Sequence, residues 1–364
     1  MGKRSLLVGA LAWAIAVAIA GAAAPVRASE VGPRLATAAT APVPVDLGTL
    51  PGGTDSRALG MNDNGNVVGW SYASNGTQSA VHAFWLGASG GLVDVHSRVT
   101  LGGVDSAASD VNNVGQVAGW SFTGSGLPHA YLASMAGGLA DLGTLPGGSE
   151  SRATRLNDSG QVVGWADTTP APPGASSGIR HAFSWTQAGG MVDLGTLGGS
   201  ASSAADVNNS GEVVGYSDLA NGFWHAFSWT PGGAMVDLGT LGGPTSTAHA
   251  VNNTGQVVGE SATASGPVHA FSWTPGGAMV DLGTLGGQTS TARGVNSFGA
   301  VVGYSDTATG TVHGFLWTKS GGMIDIGTLP GDISSDAEAA NGKMAVGWST
   351  NSSGHTHAVV WRAG

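Results

Sequence analysis

Seven histidines and seven aspartates carry the most regular pattern of reactive side chains in this 364-residue chain. The histidines are His82, His129, His181, His225, His269, His313 and His357. The aspartates are Asp46, Asp94, Asp141, Asp193, Asp237, Asp281 and Asp325. In six cases the His precedes the next Asp by 12 residues. Such a set could ligate metal or hold a ligand. Seven equivalent copies spread around a ring cannot converge on one ion, because each ligand atom must come within about 2 Å of it. The structural assignment is therefore preferred: each His makes one hydrogen bond. Each Asp can accept from such a His or from backbone N–H groups in the Gly-rich turn that follows it.

A second group departs from the repeated pattern: His96, Arg98, Glu150, Arg155, Arg180, His249, Glu260 and Arg293. An enzyme would have to bring such non-repeated residues together. Glu150 and Glu260 are the carboxylates that glycoside cleavage could use, provided they lie within about 5–10 Å of each other. The chain has no H-E-x-x-H, G-x-S-x-G, phosphate-binding loop or dinucleotide fingerprint. Asn62-Asp-Asn-Gly65 and Asp110-Val-Asn-Asn-Val-Gly115 resemble calcium loops only faintly, because they offer mostly amides and lack the distal Glu. His355 and His357 share one strand face, but His357 is already a repeat histidine. The expectation is no catalytic residue, no metal and no cofactor.

Several elements must position these residues. The copies read D-L-G-T-L-(P/G)-G, then S-x-A, V-N-x-x-G-x-V-V-G, H-A-F-x-W and G-G-x-M-V. Successive aspartates are 48, 47, 52, 44, 44 and 44 residues apart, a period in the range of propeller blades. Each copy holds four short β candidates bounded by Gly, Asn, Ser or Pro; in one copy they are 290–295, 300–304, 313–317 and 323–326. Asn-x-x-Gly joins the first two by a tight turn with Gly in the left-handed region. The constant interval of 12 indicates a fixed hairpin register, since a one-residue slip would invert a strand. Length variation concentrates between the second and third strands, where the longest segment is 168–177. The repeats open at 45–50 with a fourth-type strand and close at 357–361 with a third-type strand. The expected fold is all-β: a seven-bladed β-propeller of four-stranded antiparallel blades, closed by an N-terminal strand that joins three C-terminal strands.

Residues 1–28 read as a signal peptide: Lys3 and Arg4, an apolar run from Leu6 to Ala20, and Val26-Arg27-Ala28 at the cleavage site. Residues 29–44 read as a flexible lead-in, and 45–361 as one propeller domain. Cleavage after Ala28 would remove Lys3, Arg4 and Arg27 but no acid, taking the net charge from −10 to −13. Such a surface repels phosphate backbones, so nucleic acid is not an expected partner. No membrane span is expected after cleavage, and the protein is expected to be monomeric. Cysteine is absent, which excludes disulfides and thiol chemistry.

The His-Ala-Phe triplets at 82–84, 181–183, 225–227 and 269–271, with D-L-G-T-L and N-N-x-G-Q-V-V-G, resemble the bacterial HAF-repeat family of extracellular repeat proteins. The resemblance covers Asp46 to Trp361. It implies export and a propeller-like fold, but no established activity, catalytic residue or cofactor. Departures are His129-Ala-Tyr, His313-Gly-Phe, His357-Ala-Val, Asp94-Val-His-Ser-Arg98 and Ala340-Asn-Gly-Lys343.

The function expected is that of an extracellular binding or surface-interaction scaffold for a glycan or protein. Tyr72, Phe122 and Trp224 are candidate contacts on the variable-loop face, with His96, Arg98, Arg155, His249, Glu260 and Arg293 as polar candidates. Trp70, Trp120, Trp165, Tyr216, Tyr304 and Trp348, each following V-V-G, are expected in the core. The alternative is a polysaccharide hydrolase or lyase using the non-repeated residues at a central mouth.

Overall fold

The computed structural model describes residues 42–74, 79–87, 90–169 and 178–362. The expected signal peptide lies outside these residues, as does most of the expected lead-in. The described residues form seven four-stranded antiparallel sheets. Six blades run in sequence order over 56–94, 102–141, 151–193, 198–237, 242–281 and 286–325. In the seventh, the strands Asp332–Ala340, Met344–Asn351 and Thr356–Arg362 take Val43–Gly48 as their outer strand. That strand starts two residues before the expected Val45 and pairs along its length with the last strand, Val43 opposite Arg362 and Gly48 opposite Ala358.

Blade 4 illustrates how the sequence builds each sheet. Its strands are Gly198–Val207, Val213–Leu219, Trp224–Trp229 and Val236–Asp237, from the axis outward. The Asn208 side chain accepts from the N–H groups of Ser210 and Glu212, and Gly211 closes the turn at φ +86°. The V-V-G glycine, Gly215, meets the inner strand so closely that a Cβ would lie 2.0 Å from the Ser203 carbonyl oxygen. Every blade repeats this approach at 1.9–2.0 Å, which explains the glycine. Opposite it the inner strand bulges, shifting register between Ala204 and Asp206.

The core lies between blades. Phe227 is fully buried against Val163 and Ala182 of blade 3, and Phe271 packs likewise on Val214 and Ala226 of blade 4. Buried serines cross each seam. Ser246 Oγ accepts from Ala226 N–H in the preceding blade (2.9 Å) and donates to the Gly239 carbonyl (2.6 Å). Copies with L-P-G carry one more residue here: Ser56, Ser151 and Ser335 reach back eight residues to the glycine carbonyl, whereas Ser202, Ser246 and Ser290 reach back seven. Between blades 1 and 2 the chain instead makes one helical turn, His96–Val99, where D-L-G-T is missing.

At the axis, the asparagines that open the turns form a circle. Asn62, Asn112, Asn157, Asn208, Asn252, Asn296 and Asn341 are buried, and each donates Nδ2 to the next one's backbone carbonyl at 2.9–3.2 Å. The last link, Asn341 to Asn62, closes it. The outer strands are short, two to six residues, which limits the exposed sheet edge.

Two outcomes test this account. Asn208→Ala removes the second donor to the Asn252 carbonyl and orphans two turn N–H groups, so it should cost about 2 kcal/mol in chemical unfolding. Deleting residues 43–48 bares the third strand of blade 7. The shortened protein should then self-associate in size-exclusion chromatography and melt at lower temperature. Unchanged elution and melting would contradict closure by this strand.

Candidate functional site

Two faces are defined by the turns. The Asn turns and the third-to-fourth strand hairpins share one face. The variable loops and D-L-G-T-L links share the other, here called the loop face.

On the loop face, each repeat His holds the Asp of the outer strand: Nδ1 lies 2.7–3.0 Å from a carboxylate oxygen in all seven blades. The other Asp oxygen accepts from a backbone N–H two residues on, as in Asp237 with Gly239. Both carboxylate oxygens are therefore occupied by the fold. His357 with Asp46 at 2.9 Å is the blade 7 version and ties the chain ends. Among the described residues, no cluster of three or more acidic or histidine side chains has metal-binding geometry.

The inner-strand bulge ejects one residue per blade from the ladder. In blades 5, 6 and 7 that residue is His249, Arg293 and Glu338. These converge with Glu260 and Asp336. His249 Nε2 lies 3.9 Å from Glu260, an ion pair rather than a hydrogen bond, and Thr291 donates to Glu260 at 2.6 Å. Arg293 Nε stands 3.8 Å from Asp336 and 3.9 Å from Glu338. Burial alone would raise Glu260, but His249, Thr291 and Arg293 outweigh it and hold the carboxyl at about 2. Burial, reinforced by Glu338, pushes Asp336 up, against the pull of Arg293 and Arg57.

The other non-repeated candidates fall elsewhere. Arg155 donates to the Ser109 and Thr154 carbonyls, between Asp110 and Asp206. Burial drives those two acids up to about 6 and about 7, with Arg155 opposing. Asp110 and the asparagine circle line a mouth cavity of about 200 Å³ on the Asn face. Arg180 pairs with Glu150 (3.9 Å) and Asp167 (3.6 Å) in blade 3. His96 stacks on His82 with ring centroids 4.3 Å apart and hydrogen-bonds Ser106. Arg98 donates to the Met135 carbonyl. Glu150 and Glu260 thus engage different partners in different blades, and the eight residues fall into four groups.

The aromatics after V-V-G are not core residues, contrary to expectation. Their strand position faces the gap near the axis, where the inner strand supplies arginines. None is fully buried, and Tyr216 is 37% exposed. Arg57 lies over Trp348 (4.4 Å) and Arg152 over Trp120 (4.2 Å), while Arg180 covers Trp165 (3.7 Å). Tyr72 and Phe122 meet Trp70 and Trp120 edge-on at 5.7 Å. Trp224 is 43% exposed beside Phe223 at 45%. Arg57, Arg152 and Asp336 carry a signal in the sequence: aligned on the turn asparagine, the fifth residue before it reads Arg, Ala, Arg, Ser, Thr, Thr, Asp, and Glu338 stands in the third position before it, with His249 and Arg293.

These acids set opposite pH limbs. Glu260, lowered in the fold, contributes stability above its ordinary 4.5 that is lost as pH falls toward 2. Asp110 and Asp206, raised in the fold, favour it at low pH, and that contribution disappears as pH rises from 3.8 through 6 to 7. Thermal unfolding should therefore show maximal stability where the two limbs meet, around pH 3.8 to 4.5, with stability declining from there toward neutrality, and Glu260→Gln should flatten the acid limb. Stability rising steadily beyond neutrality would contradict the assignment.

No family model matches the chain, and no curated protein matches it. Solved structures match at the level of fold. The β-propeller domain of the Trilobed protease from Pyrococcus furiosus, which has an open velcro topology, aligns with TM-score 0.55 and 8% identity over 85% of this chain and 94% of that one. The Pyrococcus horikoshii acylaminoacyl peptidase gives 0.53 and 10%, covering 84% of this chain, and a Mycobacterium tuberculosis puromycin-hydrolyzing peptidase gives 0.54 and 10%, covering 88%. The chain spans about half the length of these two peptidases, 51% and 55%. The chain is therefore similar to their propellers in architecture: a seven-bladed ring, here sealed by its own N-terminal strand.

Proposed function

We propose that this protein is an exported HAF-repeat scaffold that binds extracellular glycans through its loop face. One observation carries the reading. Tyr72, Phe223 and Trp224 are 36–45% exposed toward the loop ends of a rigid ring, and Tyr216 is exposed farther down its strand. Exposed aromatics on a fixed scaffold suit the apolar faces of sugar rings, and little side-chain entropy is lost on contact. The scattering of the non-repeated polar residues over four places supports binding over catalysis. A hydrolase would need its acid and base on either side of one bond. The signal-like segment at 1–28 and the acidic charge are consistent with a role outside the cell.

The mature protein should be retained on at least one of a panel of immobilised plant, fungal and bacterial polysaccharides without releasing reducing ends. Trp224→Ala should weaken retention by about tenfold, the usual scale for an aromatic anchor. Retention by none, or sugar release by the wild type, would defeat the proposal; release would favour a hydrolase or lyase.

A further inference from the structure

The seam between blades 6 and 7 holds a cleft of about 320 Å³ opening on the loop face. Its sides are Tyr304 on the second strand of blade 6 and Trp348 on that of blade 7; its floor is Arg293 with Asp336. Ser335, beside them, is fully used by the seam, accepting from Gly314 N–H and donating to the Gly327 carbonyl. Asp336 is not. Its side chain is only 8% exposed, and Oδ1 is buried without a hydrogen-bond partner. Arg293 Nε, 3.8 Å from the other Asp336 oxygen, is also buried without one. A buried carboxylate oxygen left unsatisfied costs free energy that a donor from outside would recover.

The surroundings select the chemistry of that donor. A cationic ligand would face Arg293 and, from blade 1, Arg57, which lies over Trp348. An anionic ligand would face Asp336 and Glu338, both within 4 Å of Arg293. A neutral group that donates to Asp336 and accepts from Arg293 satisfies both, and adjacent hydroxyls do this. The aromatic rings are positioned for an apolar C–H face. We propose that this cleft is a seat for one neutral sugar residue, with a pair of hydroxyls on Asp336 and Arg293 and its ring against Tyr304 or Trp348. The seat rests on the glycan-binding reading above and locates it at one seam.

Isothermal titration of the full chain with methyl hexopyranosides and methyl N-acetylhexosaminides tests it. At least one glycoside should bind. Asp336→Ala, Arg293→Gln and Tyr304→Ala should each weaken it by about tenfold or more. Far-UV dichroism and melting should show each variant folded; if Asp336→Ala is not, Tyr304→Ala, a half-buried change, carries the test. Saturation-transfer NMR should place the sugar's C–H protons nearest the aromatic rings. If a glycoside binds but only Trp224→Ala weakens it, the seat is overturned and the glycan reading stands. If no glycoside binds while a polysaccharide is retained, the seat is again overturned. If neither binds, both fall. Tighter binding of arginine methyl ester or inorganic phosphate would also overturn the seat, because it would show a charged ligand.

Discussion

Everything in this fold depends on backbone polar groups being satisfied from one blade to the next. A four-stranded sheet satisfies its own ladder but leaves the second acceptor site of the buried turn carbonyls at the axis and N–H groups at the third strand without partners. The asparagine amides settle the first deficit and the serine hydroxyls the second. Each donor reaches into the neighbouring blade, so no blade is satisfied alone and the chain of bonds must return to its start. The contacts at the closing seam, Asn341 to Asn62 and Ala358 to Ser56, are those of every other seam, and His357 to Asp46 repeats inside blade 7 the pair found inside every other blade. Closure without cysteine is thus the same interaction made once more.

The same requirement explains which residues repeat. The residue two after each repeat His, Phe in five blades, Tyr131 in blade 2 and Val359 in blade 7, packs across its seam on the residue before the V-V-G glycine, so a change in one blade would open a void beside the next. The glycine cannot change because a Cβ would overlap a carbonyl. His and Asp occupy one another through imidazole Nδ1, and the carboxylate also holds the turn, so these repeated residues have a structural task in every blade.

Much of this was legible. The interval of 12 between His and Asp, the variable loop and the fourth-type strand at the N-terminus together specify a closed seven-bladed ring, which the sheets display. The cluster of His249, Glu260 and Arg293 was legible only as a set of exceptions. Its assembly, with Asp336 and Glu338, was not. Alternation along a strand assigns faces by parity, and the bulge at Ala292/Gly294 and its counterparts breaks that parity just before the turn. Residues beyond the bulge, Asp110 and Asp206 among them, therefore point where a simple count of two does not put them. The helical turn at His96–Val99 was flagged by its missing D-L-G-T, but four residues are too few to declare a helix.

Functional individuality in such a ring can arise only where side chains have no matched partner in the next blade. Two zones meet that condition: the inner strand around its bulge, and the loop ends of the second and third strands. Arg155, His249, Arg293, Asp336 and Glu338 occupy the first zone, and Tyr72, Phe223 and Trp224 the second. Between blades 6 and 7 the zones join, because Arg293 sits at a bulge while Tyr304 and Trp348 rise toward the loops. Asp336, enclosed there with an unsatisfied oxygen, is an exception that the internal logic of the scaffold does not explain. At this position the other blades carry Arg57, Ala107, Arg152, Ser203, Thr247 and Thr291, so Asp336 is the one acid in the column. The sugar seat proposed for this cleft gives that carboxyl oxygen, and the idle N–H of Arg293 beside it, the partners that the blades do not supply.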